Sequence, residues 1–335
     1  MAISSSRRHF IKAGAATLAG AALARPSDFL RAAEPRFRIS LAEWSFHKAL
    51  KSGEMDHLDF AKRAKEHGIL GVEYVNQFFG VKDDRLGLQP KDQAYLAEMK
   101  KRAADLGVTN VLIMCDNVGD LGNPDDAKRT AAVEGHYAWA DAAKFLGCHS
   151  IRVNARSNAK LSSEEQAKFC MDGLRRLSEH VKSLGLGVIV ENHGGWSSNG
   201  AWLAGVMKGV GLDNCGTLPD FGNFYMARKG PKYEEEKASF GTDPAFGEDD
   251  KGFFYDRYKG ISDLMPFAKG VSAKSHDFNK AGEEVHTDFH KAMSLVKDAG
   301  YHGWVGVEYE GSGLSEPEGV TATKVLLDKV LAELG

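Results

Sequence analysis

Eight short apolar runs, most of them bounded by glycine, recur along the chain at a steady interval, and the segments between them carry a 3.6-residue apolar period. No other feature constrains the fold as tightly. The runs predict strands over 37–42, 71–74, 110–114, 150–154, 187–191, 216–219, 270–273 and 304–308. Helical periods are clearest over 124–146, opened by Asn123 and Pro124, and over 163–184, opened by Ser163 with Glu165 close behind. Others run over 256–268, over 290–299 up to Gly300, and over 316–334. A strand followed by a helix, repeated eight times, predicts an α/β chain folded as a single-domain (β/α)8 TIM barrel over 37–335. The total of 335 residues fits such a barrel with insertions. The 37 glycines against 9 prolines suit many tight strand-to-helix turns.

The alternative, an open doubly wound sheet, would favour a glycine-rich phosphate turn after the first strand. The residues there are Glu43-Trp44-Ser45-Phe46-His47, and neither GxGxxG nor GxxxxGK[ST] occurs in the chain. One connection breaks the cadence: 224–255 is charged, glycine-rich and aromatic, with Lys232-Tyr233-Glu234-Glu235-Glu236 and Phe253-Phe254-Tyr255. A long insertion at a barrel mouth predicts a lid or substrate wall, against the plainer reading of a solvated excursion.

The first 33 residues read as an address and linker. Arg7 and Arg8, then Phe10, Ile11 and Lys12, precede a small-residue apolar stretch that ends in Ala22-Leu23-Ala24. This resembles a twin-arginine export signal, with the twin-arginine translocase as a partner during export and a periplasmic or other extracytoplasmic destination. The alternative is an anchoring N-terminal helix, but the stretch is too short and glycine-rich to span a bilayer well, so no stable span is expected after processing. Cleavage near Ala24 removes three basic residues and no acid, which makes a chain of net charge −3 more acidic. An acidic mature chain offers no electrostatic footprint for nucleic acid. The cysteines Cys115, Cys148, Cys170 and Cys215 form no C-x-x-C pair, so buried free thiols are expected, with a disulfide left open for an exported protein.

In a barrel the C-terminal strand ends line the active site. Those ends hold Glu43, Trp44 and His47; Glu73; Asp116 and Asn117; Arg152 and Asn154; Glu191, Asn192 and His193; Asp220, Phe221 and Asn223; Lys274 and His276; and Glu308 and Glu310. So dense a polar ring is costly to bury unless it is compensated. Glu191, Asp220, His276 and Glu308, from four consecutive strands, form a donor set for one divalent metal ion, Mn2+, Mg2+, Co2+ or Zn2+. The competing reading is a structural ion-pair network.

The strings V-E-N-H, L-P-D-F-G-N, A-K-S-H-D-F and V-E-Y-E-G make the chain resemble the sugar phosphate isomerase/epimerase family of xylose isomerase-like barrels, from about Phe37 to the C-terminus. The resemblance implies a divalent metal held by Glu191, Asp220 and Glu308, with Glu191 and Glu308 also exchanging the substrate proton on opposite faces. The family's histidine two residues before the lysine of strand seven is Ser272 here. His276 shares strand parity with Ser272 and is carried into the ligand set; Glu310 shares parity with Glu308 and is the alternative ligand. Asn223 stands where some members have a histidine, which argues against a ketose 3-epimerase in particular.

The chemistry so implied is proton abstraction beside a carbonyl through an enediolate. Lys274 and Arg152 are candidate oxyanion partners, or else ordinary barrel ion pairs. His193 is a candidate donor to substrate hydroxyls or a support for Glu191. Trp44 and Phe221 are candidates for stacking on a sugar face, while His47, Asn154, Asn223 and Glu310 complete the substrate-binding set. Glu73 is read as a further acid or base, or as a partner of Arg152. Export favours a non-phosphorylated sugar. The runner-up is a lyase that cleaves 3-keto-glycosides after C2-proton abstraction. A non-catalytic sugar-binding barrel is a further alternative, and homo-oligomerisation is open. A phosphodiesterase of the apurinic-site type would need more metal ligands than these.

Overall fold

The computed structural model describes residues 35–335. The export signal and linker expected over 1–33, with the cleavage point, lie outside the described residues. Eight parallel strands form the barrel: β1 (Phe37–Ala42), β2 (Gly71–Val75), β3 (Thr109–Met114), β4 (Ser150–Asn154), β5 (Gly187–Glu191), β6 (Cys215–Leu218), β7 (Val271–Ser275) and β8 (Gly303–Tyr309). Consecutive strands are neighbours, and β1 pairs with β8. Between β6 and β7 the backbone pairing reduces to the isolated bridges Thr217–Ala268 and Asp220–Ser272. Among the described residues no helix is long and apolar enough to cross a membrane.

Strand alternation divides the core in two. One set of side chains, including Leu41, Val72, Ile113, Ile151, Val188 and Val307, packs against the helices in the main hydrophobic cluster. The other set points inward and forms a small apolar plug of Ala42, Val75, Leu112, Ile189, Leu218 and Trp304. Above this plug the inward positions become polar, and the site begins there.

Two expected helices differ in detail for local reasons. The helix Ser163–Lys182 is capped by Ser162 in a capping box: the Ser162 hydroxyl accepts from the Glu165 backbone N–H and the Glu165 carboxylate accepts from the Ser162 backbone N–H. The S-x-x-E spacing runs from Ser162, so the cap is Ser162 and not Ser163, while the helix itself begins at Ser163 as expected. The expected helix over 124–146 starts with Asp125 as its cap and divides at His136 into Asp126–Gly135 and Tyr137–Leu146. Gln89 Nε2 donates to Gly135 O at 3.2 Å, and a side chain on Gly135 would strike Leu86 O. The cause of the break is an unforeseen hairpin, Gly80–Asp83 with Gly87–Pro90, which lies against this helix.

The insertion is folded. Tyr225–Arg228, Gly252–Tyr255 and Phe246–Glu248 form a three-stranded antiparallel sheet joined by the short helix Tyr233–Ala238. Its own small core buries Tyr233, Phe240, Phe253 and Tyr255. Glu248 pairs with both Lys229 and Lys237 on its surface. A solvated excursion would bury none of these aromatics. All four cysteines are buried free thiols.

Candidate active site

Register brings the polar strand ends into one layer. Glu191 pairs with Asn154, Lys274 with Glu308, and Asp220 bridges to Ser272. Glu191, Asp220 and Glu308 are all buried, and one carboxylate oxygen of each lies within 4.8 Å of the others. Two cations meet them. Lys274 Nζ stands 3.0 Å from Glu308, 3.2 Å from Glu310 and 3.9 Å from Asp220. Arg152 lies 2.9 Å from Glu191, an ion pair without hydrogen-bond alignment, and donates to Asp116 at 2.7 Å. Ser272, where the resemblance expects histidine, donates or shares its hydroxyl with Asp220 at 2.7 Å and Glu308 at 2.9 Å.

The carboxylates outnumber the cations, and protonation equilibria register the excess. Burial, with repulsion from Glu308, pushes Glu191 up to about 7 against the pull of Arg152. Burial likewise lifts Asp220 to about 7, against Lys274 and with Glu191 and Glu308 adding to the rise. Lys274 is pushed well above its ordinary value, because the surrounding carboxylates outweigh its burial. Glu310 goes the other way: Lys274 and the Trp44 indole N–H, 2.8 Å away, outweigh burial and hold it at about 2. His193 is shifted down by burial and by Arg152 and Lys274, so its imidazole is neutral near pH 7.

These groups open onto a cavity of about 370 Å3, lined among others by Trp44, Asn154, Glu191, His193, Lys274 and Glu308. Asn223 reaches in to donate to Glu191 at 2.8 Å, and Asn154 donates to Asp116 at 2.7 Å. Asn192, which the strand-end reading passed over as a ligand, braces the floor: its amide donates to Asp220 O and Asn223 O and accepts from Asp220 N.

The spacing and charge of Glu191, Asp220 and Glu308 fit one divalent cation, since three buried carboxylates converge and only Lys274 and Arg152 offset them. His276 is not in that group. Strand β7 ends at Ser275; beyond it the His276 backbone N–H binds Glu284 and the ring lies edge-on to His286. Parity carries a side chain to the same face only while the strand continues. Glu310 also stays outside, paired with Lys274 and Trp44.

Other expectations are redistributed. Phe221 is fully buried and packs edge-on to Phe289 at 5.7 Å, so it belongs to the core and presents no face to a sugar. His47 stacks on Trp44 at 4.8 Å and bonds Trp44 O, outside the cavity lining. Glu73 does not pair with Arg152. It lies buried below the site, accepts from Ser40 at 2.6 Å, and has one oxygen without a partner. Gly306 makes room for it, since a Cβ there would come within 2.8 Å of its carboxylate. Tyr225 and Arg228 of the insertion, together with Gln77 and Arg156, also line the cavity. None of the four is the last residue of a barrel strand, so the strand-end rule did not select them.

Solved structures similar to this chain share its fold at low identity. A sugar phosphate isomerase/epimerase from Parabacteroides distasonis is 15% identical, with a TM-score of 0.62, covering 91% of this chain and 99% of its own. A D-psicose 3-epimerase solved with D-fructose is 14% identical, with a TM-score of 0.59, covering 88% and 99%. A 3-keto-D-glucoside 4-epimerase from E. coli is 13% identical, with a TM-score of 0.59, covering 88% and 100%. No curated protein matches the chain. The profile described as xylose isomerase-like TIM barrel matches residues 61–328, most of the chain, and with the eight-stranded barrel and its acidic mouth this places the protein in the xylose isomerase-like TIM barrel family.

Proposed function

We propose that this protein is an isomerase or epimerase that moves a proton at the carbon beside the carbonyl of a non-phosphorylated carbohydrate. The observation that carries the reading is the buried trio Glu191, Asp220 and Glu308 beside Lys274, with Glu191, Glu308 and Lys274 lining an open polar cavity. The trio would hold one divalent cation, which when bound supplies a Lewis acid for the negative charge that develops as the proton leaves. Glu191, lifted to about 7, is poised to accept a proton near neutral pH and to return it. Glu308, on β8, is the matching group for the opposite face. Lys274 and Arg152 place fixed positive charge beside the same carboxylates, where a developing oxyanion is stabilised. Neutral His193 and Trp44 are placed to bind and orient hydroxyls and a ring face. The choice of a non-phosphorylated sugar follows from the export signal read in residues 4–24, with a periplasmic site of action.

The second reading, a lyase, uses the same proton abstraction. Removal of the C2 proton from a 3-keto-glycoside would form a C1–C2 double bond as the C1–O bond breaks, and the aglycone oxygen would take up a proton and leave as an alcohol. The fold likeness to a 3-keto-D-glucoside 4-epimerase favours keeping it. The test is to incubate purified protein with ketohexoses and 3-keto-glucosides in D2O, with and without EDTA. Deuterium should enter beside the carbonyl and an isomer should form, with EDTA suppressing both and Mn2+ restoring them. Release of aglycone would replace the epimerase with the lyase. Absence of exchange from every sugar would leave a binding barrel. Glu191→Gln should lose turnover at least about a hundredfold, as expected for a positioned acid or base; wild-type turnover would remove Glu191 from the chemistry.

A further inference from the structure

The active-site cavity shares part of its lining with a neighbouring hollow. A second hollow of about 550 Å3 adjoins it, and the two share Asn117, Asn154 and Arg156. Its remaining walls come from the turn of the 80–90 hairpin, from the loop after β3 and from the helix Asp126–Gly135. Each hollow alone has the size of a small-molecule site.

The shared wall is built with unspent hydrogen-bonding capacity. Asn154 uses its amide N–H on Asp116, and its carbonyl oxygen is buried with no partner. A buried acceptor left so costs stability unless something else fills it. His136, 2% exposed, lies at the back of the second hollow. Its Nδ1 is 2.7 Å from Ala132 O, so Nδ1 carries the proton and Nε2 is left as a bare acceptor. Burial, the largest influence on this ring, holds it neutral by lowering it to about 4. Arg156 is exposed at the junction, and among the described residues its guanidinium has no carboxylate partner. Asn117 holds φ +59°, the one positive φ among the described non-glycine residues. Strain of this kind gathers at ligand contacts.

The chemistry of the lining selects an occupant. Asp84 and Asp120 line the hollow together with Arg85, Lys128 and Arg156, so neither sign dominates and a polyanion is disfavoured. Unpartnered acceptors beside mixed charges suit a ring that carries many hydroxyls and do not suit an apolar aryl group. Resting on the carbohydrate reading above, we infer that the substrate is a two-ring glycoside: one ring lies over Glu191, Glu308 and Lys274, and a second hydroxylated ring sits in the hollow between Asn154 and His136.

Calorimetry on the full protein tests this with methyl glucoside, lactose and cellobiose and their 3-keto forms. Two variants alter the second hollow alone: Ala131→Trp fills it, and the double variant Asp120→Ala/Lys128→Ala strips polar partners from its wall. At least one disaccharide should bind about tenfold or more tighter than the one-ring glycoside, a difference typical of a few added contacts. Ala131→Trp should erase that advantage, and the double variant should reduce it about threefold, with one-ring affinity unchanged in both. Equal affinity for one and two rings, or an advantage that survives Ala131→Trp, would overturn the second-ring site and leave the carbohydrate reading standing. No binding of any sugar would overturn both.

Discussion

Glu73 offers a test of the barrel interior that does not depend on any substrate. Its carboxyl is fully buried beneath the polar layer of the barrel mouth, with Ser40 as its one hydrogen-bond donor, and Glu308 and Glu191 add repulsion. Burial, the dominant cause, pushes it from 4.5 up to about 8. The unfolded chain therefore loses this proton first as pH rises, and between those two values the folded state binds more protons. Stability from this group is complete below about pH 4.5 and is lost as pH rises through about 8. At about 1.4 kcal/mol for each unit of separation, the loss between pH 5 and pH 8 comes to about 3 kcal/mol. Glu73→Gln keeps the shape and the acceptor for Ser40 but cannot ionise. Urea denaturation followed by circular dichroism at pH 5, 6, 7 and 8 should find variant and wild type within about 1 kcal/mol at pH 5. The variant should then gain on the wild type by about 3 kcal/mol by pH 8. Parallel stability curves across this range would refute the reasoning, because they would mean that Glu73 ionises in the barrel as it does in water.

Three further outcomes follow from the same geometry. Lys274→Met leaves Glu308, Glu310 and Asp220 without their shared cation and should cost about 3–5 kcal/mol in chemical denaturation. Added Mn2+ should restore part of that loss, with a larger gain in the variant than in the wild type, since both cations neutralise the same carboxylates. Phe221→Ala should cost about 3–5 kcal/mol through the cavity it opens against Phe289, with sugar affinity measured by calorimetry unchanged. Ser272→Ala removes the hydroxyl between Asp220 and Glu308 and should cost about 1–3 kcal/mol at pH 7, read from the same denaturation curves.

The barrel was legible because its signal is repeated. Eight apolar runs at an even spacing admit few topologies, and every strand lies within one or two residues of its expected place. Glu191, Asp220, Glu308, Lys274 and Arg152 were legible for a related reason: each is a polar residue within two positions of the C-terminal end of an apolar run, and parallel strands in register carry such ends to one mouth. The misplacements come from positions where that rule stops. His276 and Phe221 lie just past their strands, where alternation no longer sets direction, and the fold set one against His286 and the other into the core. The split helix at Gly135 followed from a hairpin with too weak a pattern to be read in advance.

The sequence by itself thus determined the barrel, its polar mouth and the residue types that meet there, because strand periodicity is a local property written into successive residues. Tertiary structure alone decided which charges pair: Arg152 with Asp116 and Glu191, Lys274 with Glu308 and Glu310, and Glu73 with neither. It also decided that Tyr225 and Arg228 reach the cavity and that a second hollow opens beside Asn154. The physical reason is range. Burial and Coulomb interactions act between residues distant in sequence, so the partner of each buried charge exists only once the strands have closed.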